Sequence, residues 1–292
     1  MNTIKRISLI LFFIIFSNPV FCQDDLLDIL DEEAQKIQEN EVVSATFKGT
    51  RILNGHSIEN RKSRELEFLI SHRFGSVNLG FDELFGLDQS NIRFALEYGV
   101  NDNLTAGFGR SSYEKTYDSY LKYRLIKQKV RENSFPFAIS LFGSVAVKTL
   151  KDYPPEDKRT FAESLAYTTQ VLIARKVSTK FSYQITPTYI HRNTVEIVED
   201  PHDVFALGFG TRVKLSNRVS LNGEYYYLFN KSVSIDSQNS LAFGVDIETG
   251  GHVFQLILSN AITMIEKGFI AENTGEFFSG DIHFGFNISR TF

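Results

Sequence analysis

Tryptophan is absent from the 292-residue chain and cysteine occurs once. Beyond residue 22 no stretch stays apolar for the roughly 20 residues that a spanning helix requires. Each absence excludes something. If the leader is removed after Cys22, the mature chain has no thiol. It then has no disulfide framework, no thiol nucleophile and no thiolate metal site. Without long apolar runs it is not a helical membrane protein. Basic residues are not in excess: 31 Lys and Arg stand against 35 Asp and Glu, net −4. No basic stripe marks a nucleic-acid surface. The six histidines, His56, His72, His191, His202, His252 and His283, lack metal-ligand spacing, and the acidic run Glu196, Glu199, Asp200, His202, Asp203 lacks a calcium-loop pattern. No Gly-x-Ser-x-Gly elbow occurs. Neither a metal nor a cofactor is expected.

What the chain does have is aromatic residues, 27 Phe and 12 Tyr, within a composition that is 42% hydrophobic and 23% charged. A soluble domain would gather that Phe into one core. A membrane barrel spreads it over a lipid-facing belt, one residue in two. The first 22 residues read as a secretory signal peptide. Lys5 and Arg6 lead, Leu9–Phe16 form a short apolar core, and Val20-Phe21-Cys22 precede cleavage. A lipid anchor on Cys22 is the rival reading.

The tail Asp281–Phe292 alternates. Ile282, Phe284, Phe286, Ile288 and Phe292 share one parity; His283, Gly285, Asn287, Ser289 and Thr291 share the other. In a strand these are opposite faces. The same rhythm recurs from residue 64 onward, predicting about twelve strands near 65–74, 91–100, 104–111, 118–127, 136–148, 161–175, 180–192, 204–215, 219–229, 241–248, 252–259 and the tail. Tight turns at 101–103, 216–218 and 250–251 alternate with long links at 75–90, 149–160, 193–203, 230–240 and 260–280. The predicted fold is therefore all-β: a transmembrane antiparallel up-and-down barrel of about 12 strands over residues 61–292, with both termini periplasmic. Ten residues per strand, tilted about 40°, span roughly 25 Å, the height of the apolar band.

The parity opposite the apolar one predicts the lumen lining: Glu67, Arg73, Arg93, Glu97, Lys122, Arg124, Arg212, Glu224, Asp246 and Glu248. Glycines on the same parity, among them Gly210 and Gly244, leave room or permit curvature. Residues 23–60 stand ahead of the barrel. Leu26, Leu27, Leu30, Ala34 and Ile37 recur at helical spacing, with Asp24, Asp25 and Asp28 in the first turn. The following stretch carries a turn signal at Asn54-Gly55. It either tucks into the lumen or adds a strand. If it tucks in, Lys48, Arg51 and His56 are expected near Glu67, Arg93 and Glu97.

The segments Ala45–Ile52, Asn54–Glu59, Glu65–Gly75 and Phe85–Arg93 resemble the opening of an uncharacterised family of bacterial outer-membrane β-barrels, and the closing Phe292 resembles the signal read by the outer-membrane insertion machinery. The resemblance implies fold and location and transfers no catalytic residue. Three functions stay open. The first is a narrow pore, or a barrel that binds or transports a small polar solute. The second is a closed structural or partner-binding barrel. The third, a lipid-directed enzyme, has little behind it, since adjacent Ser71 and His72 face opposite ways. No enzymatic activity is expected. The partners expected are outer-membrane lipid, the insertion machinery and a small polar solute.

Overall fold

A barrel of twelve strands has an interior wider than wall side chains alone can fill, and narrower than the aqueous channel of a 16-strand porin. What fills it decides what it does. The computed structural model describes residues 42–129, 135–151 and 159–292. The predicted leader and the predicted helix over 24–40 lie outside the described residues.

Twelve antiparallel strands close on themselves, each bonded to its sequence neighbours and the last to the first. They are β1 (Leu66–Ser76), β2 (Ser90–Asn101), β3 (Leu104–Ser111), β4 (Tyr117–Ile126), β5 (Ala138–Val147) and β6 (Leu165–Lys176). The second half comprises β7 (Phe181–Arg192), β8 (Asp203–Lys214), β9 (Val219–Leu228), β10 (Ser240–Thr249), β11 (His252–Ser259) and β12 (His283–Thr291). Closure is made by β1 and β12, in register from Glu67 opposite Thr291 to Arg73 opposite Gly285. The Phe292 amide donates to Leu66 O at 2.8 Å, extending that seam to the last residue. No edge strand is left.

The alternation read from the sequence is the alternation of burial. On β1, Glu67, Leu69, Ser71 and Arg73 are buried inside. On β2, Phe94, Leu96 and Tyr98 are exposed outside while Arg93, Ala95 and Glu97 are buried. An outward apolar belt and an inward polar wall are what a bilayer demands of a closed sheet.

Residues 42–59 do not join this sheet. From Thr46 to Ile58 they form an inner hairpin inside the barrel, while Val42, Ser44 and Ala45 stay exposed. Ile52 N donates to Gly55 O at 2.9 Å, Ser57 N donates to Thr50 O at 2.9 Å, and Arg51 pairs with His56 as an isolated bridge. The turn falls on Leu53-Asn54, one residue ahead of the predicted Asn54-Gly55. Phe47, Ile52, Leu53 and Ile58 are buried with Tyr120, Phe142 and Leu172 of the wall. From the other end, the link after β11 folds inward. It carries one π-helical turn, Lys267–Ala271, and buries Phe269, Ile270 and Ala271 against Ile190, Val204, Tyr226 and Leu228.

Candidate functional site

Backbone groups brought into a buried interior must find partners. The wall supplies them. Glu224 accepts from Leu53 N at 3.2 Å and Gly55 N at 3.0 Å. Gln255 donates to Ile52 O at 2.9 Å, Asn287 to Leu53 O at 2.9 Å and Gln184 to His56 O at 2.8 Å. At the tip, Asn54 donates to Ser259 Oγ at 3.1 Å and accepts from Arg73 at 2.8 Å. The hairpin is thus held by side chains from β1, β7, β9, β11 and β12.

Charge follows the same plan. Glu67 and Glu97 face each other across β1 and β2, and like charges in that position repel. Each has its own cation from the N-terminal segment. Arg51 lies 3.4 Å from Glu97 and Arg61 lies 3.2 Å from Glu67. Thr50 Oγ1 also donates to Glu67 at 3.2 Å. Lys122 donates to Ser57 O at 3.1 Å, Arg124 donates to Ile58 O, and Arg212 donates to Ala45 O at 3.1 Å. Lys48 pairs with Glu248.

Of the ten residues predicted for the lumen, eight therefore bond the N-terminal segment: Glu67, Arg73, Glu97, Lys122, Arg124, Arg212, Glu224 and Glu248. Arg93 and Asp246 engage the wall instead. Arg93 Nε donates to Asp118 Oδ1 at 2.9 Å, and Asp246 accepts from Gln255 at 2.8 Å. Within the expected charge complement, Arg51 meets Glu97. Lys48 turns to Glu248 rather than Glu67, because it sits at the turn end of the barrel beside Asn217 O. His56 packs its ring 4.5 Å from Tyr120 and 4.2 Å from Phe142, and its Nε2 lies 3.6 Å from Glu266.

Two glycines make the fit possible. A Cβ on Gly210 would strike Ile52 Cδ1, and one on Gly244 would strike Leu53 Cδ2. Their absent side chains are the space the hairpin tip occupies.

Beyond the inward loop, at the end of the barrel opposite Phe292, a cavity of about 170 Å³ opens among the links. Tyr113, Glu114, Lys148, Arg192, Lys267 and Glu272 line it. Lys267 lies 3.0 Å from Glu272 and 3.6 Å from Glu114, and Arg192 lies 3.5 Å from Glu272. Burial pushes the Glu114 carboxyl up, but Lys267 and Lys148 outweigh it and hold Glu114 below the ordinary carboxylate value. Burial pushes Lys267 down, yet Glu272 and Glu114 raise it above an ordinary lysine. The network can meet a solute with both donors and acceptors. In the acidic link, Asp200 accepts from Val233 N and Ser234 N while Asp203 meets His191 and Tyr189, so the carboxylates do not converge.

The alternation pattern alone does not single out the inward loop or Asp118. Asp118 shares the inner parity of Lys122 and Arg124, and that parity is its signal. The loop has a weaker signal, the apolar residues Ile262, Met264, Ile265, Phe269 and Ile270 inside a long link.

Residues 47–292 match a protein family described as "Membrane bound beta barrel domain (DUF5777)". No curated protein matches the chain. Among solved structures, the KdgM porin is similar over 78% of this chain and 99% of its own, at 8% identity and a TM-score of 0.44. The COG4313 outer membrane channel from Pseudomonas putida F1 is similar over 80% of this chain and 96% of its own, at 13% identity and TM-score 0.45. Outer membrane phospholipase A from Escherichia coli is similar over 84% of this chain and 95% of its own, at 10% identity and TM-score 0.45.

Proposed function

Since the chain belongs to the family of membrane-bound β-barrel domains, we propose that it works in the bacterial outer membrane as a barrel closed to free diffusion, with residues 46–59 as its plug. Single-chain barrels with an even strand number are an outer-membrane architecture. The observation that carries the reading is the buried inner hairpin, whose tip is anchored by Glu224, Arg73, Gln255 and Asn287. Of the three functions open from the sequence, the closed barrel fits this geometry best. In this reading the turn end, with Phe292, faces the periplasm, and the closing strand carries the segment read by the insertion machinery.

Planar-bilayer conductance tests it. The full mature chain should stay silent. A variant lacking residues 46–59 and carrying Phe269→Ala and Ile270→Ala, which thin the inward loop, should conduct. If the deletion prevents folding, the double variant Glu224→Ala/Gln255→Ala, which loosens the tip, should flicker between closed and open levels. A steady ohmic current from the full chain at low voltage would overturn the reading.

A second reading, passage of a small polar solute, is favoured by the mouth cavity beside Lys267 and Glu272. Liposome swelling in arabinose or glycine separates the two. Under the closed reading swelling needs the deletion; under the solute reading the full chain suffices.

A further inference from the structure

Two neighbouring links at the loop end expose more apolar surface than any packing in the barrel accounts for. The link between β1 and β2 exposes Val77, Leu79, Phe81, Leu84, Phe85 and Leu87, with Phe81 78% accessible. Nothing from Val77 through Gln89 is buried except Gly86, and Gly80 is half-buried. The link before β12 exposes Phe278 at 89%.

These residues are not loose ends of chain. The link is tied down by Phe85 N donating to Gly80 O at 2.7 Å and Gly75 N donating to Gln89 O at 3.2 Å. Leu84 and Phe85 both adopt left-handed backbone, φ 45° and 54°, a conformation bulky side chains rarely take. The two links are joined to each other. Val77 N donates to Ile282 O at 2.8 Å, and Asn78 Nδ2 donates to Asp281 Oδ1 at 2.5 Å.

The surface continues the outer belt. Phe277 sets its ring 5.7 Å from Phe243, an outward residue of β10. Phe74 stacks on Phe284 at 5.9 Å across the β1–β12 seam immediately below. Scattered exposed apolar residues need no explanation, but a contiguous patch marks an interaction surface. The only charges from Val77 to Leu87 are Asp82 and Glu83, both acidic. Neither 77–87 nor 276–281 carries a Lys or Arg to hold a headgroup phosphate, and continuity with the outer belt makes acyl chains the matching occupant.

We propose that the 77–87 and 276–281 links form an aromatic foot that lies in the membrane, with Phe81, Phe85 and Phe278 among the acyl chains of the leaflet at the loop end. The foot raises the apolar wall over β12, β1 and β2 beyond the height of the strands. The proposal rests on the membrane reading and adds a second, loop-borne lipid contact to it.

The absence of Trp makes the test direct, because an introduced Trp is the sole indole. The full mature chain carrying Phe81→Trp or Phe278→Trp is reconstituted into phosphatidylcholine vesicles with acyl-brominated lipid. Phe209→Trp on the outer face of β8 reports the belt, and Val198→Trp, in the link between β7 and β8, reports solvent. The foot reporters should be quenched roughly twofold or more, as expected for side chains held in the interfacial and acyl region, with blue-shifted emission like that of Phe209→Trp. Should Phe81→Trp fail to fold, Leu79→Trp in the same link gives the same readout. Quenching at Phe209→Trp with foot reporters that behave like Val198→Trp would overturn the foot alone. Loss of quenching at Phe209→Trp as well would overturn the membrane reading beneath it. Crosslinking of two copies through an unquenched foot would overturn the foot's lipid contact and leave the membrane reading standing.

Discussion

His56 Nε2 lies 3.6 Å from Glu266 Oε1, and there the hairpin rising from the turn end meets the loop descending from the other. Tyr226 reinforces the junction. Its ring packs 5.3 Å from Phe269, and its hydroxyl fills the space a Cβ on Gly55 would need. The lumen is therefore filled by two pieces of chain in contact, so removing the hairpin also takes from the loop its partner at Glu266.

Glu224 is the tip anchor. Glu224→Leu leaves the Leu53 and Gly55 amides without an acceptor, at about 1–3 kcal/mol for each buried donor. The thermal midpoint should fall, and proteolysis near Arg51 should quicken while the barrel still migrates as folded. Glu224→Gln, which keeps one acceptor oxygen, should lose less.

Arg51 neutralises a carboxylate that faces another. Arg51→Met leaves Glu97 buried beside Glu67, and breaking a buried pair costs about 3–5 kcal/mol. Adding Glu97→Gln removes the stranded charge and should recover most of the loss. A double-mutant cycle in urea checks this; additive losses would refute it.

Gly210 and Gly244 test the space itself. Gly210→Val pushes into Ile52, an overpacking cost of about 1–3 kcal/mol. The compensating pair Gly210→Val/Ile52→Ala should restore stability. Limited proteolysis of the hairpin in detergent reads the outcome.

The mouth network predicts a defined pH window. Glu114 is shifted down from 4.5, so its contribution is present above that value and is lost as pH falls through its lowered folded value. Lys267 is shifted up from 10.5, so its contribution is full below that value and is lost only as pH rises through its raised folded value. Lys267→Met should lower stability by about 1 kcal/mol. The difference in thermal midpoint from the native chain should be constant from about pH 5 to about pH 9 and should shrink in stronger acid.

The strands were legible because period-2 alternation survives wherever one face meets lipid and the other does not. β12 and β7 show this, since nearly every residue follows the rule. The inner wall was legible for the same reason, down to Glu67, Glu97 and Lys122. The hairpin was half legible. Asn54-Gly55 signalled a turn, but nothing local said that its backbone would be received by Glu224, Gln255 and Asn287, scattered over three strands. The descent of the 260–275 link was not legible, because irregular backbone has no period. Its apolar residues were the trace, and the twelve-strand interior was the reason to look.

The hairpin's partners lie far along the chain. Gln255 is 203 residues from Ile52, Ser259 is 205 from Asn54, and Asn287 is 234 from Leu53. So the earliest-made part of the described chain must wait for the latest-made part before it has a seat. Zipping of β12 onto β1 and docking of the hairpin share residues, Arg73 and Asn287 among them. Assembly of the outer wall and loading of its contents thus become one cooperative step, and a molecule that has sealed without its cargo should have no easy way to take it up afterwards.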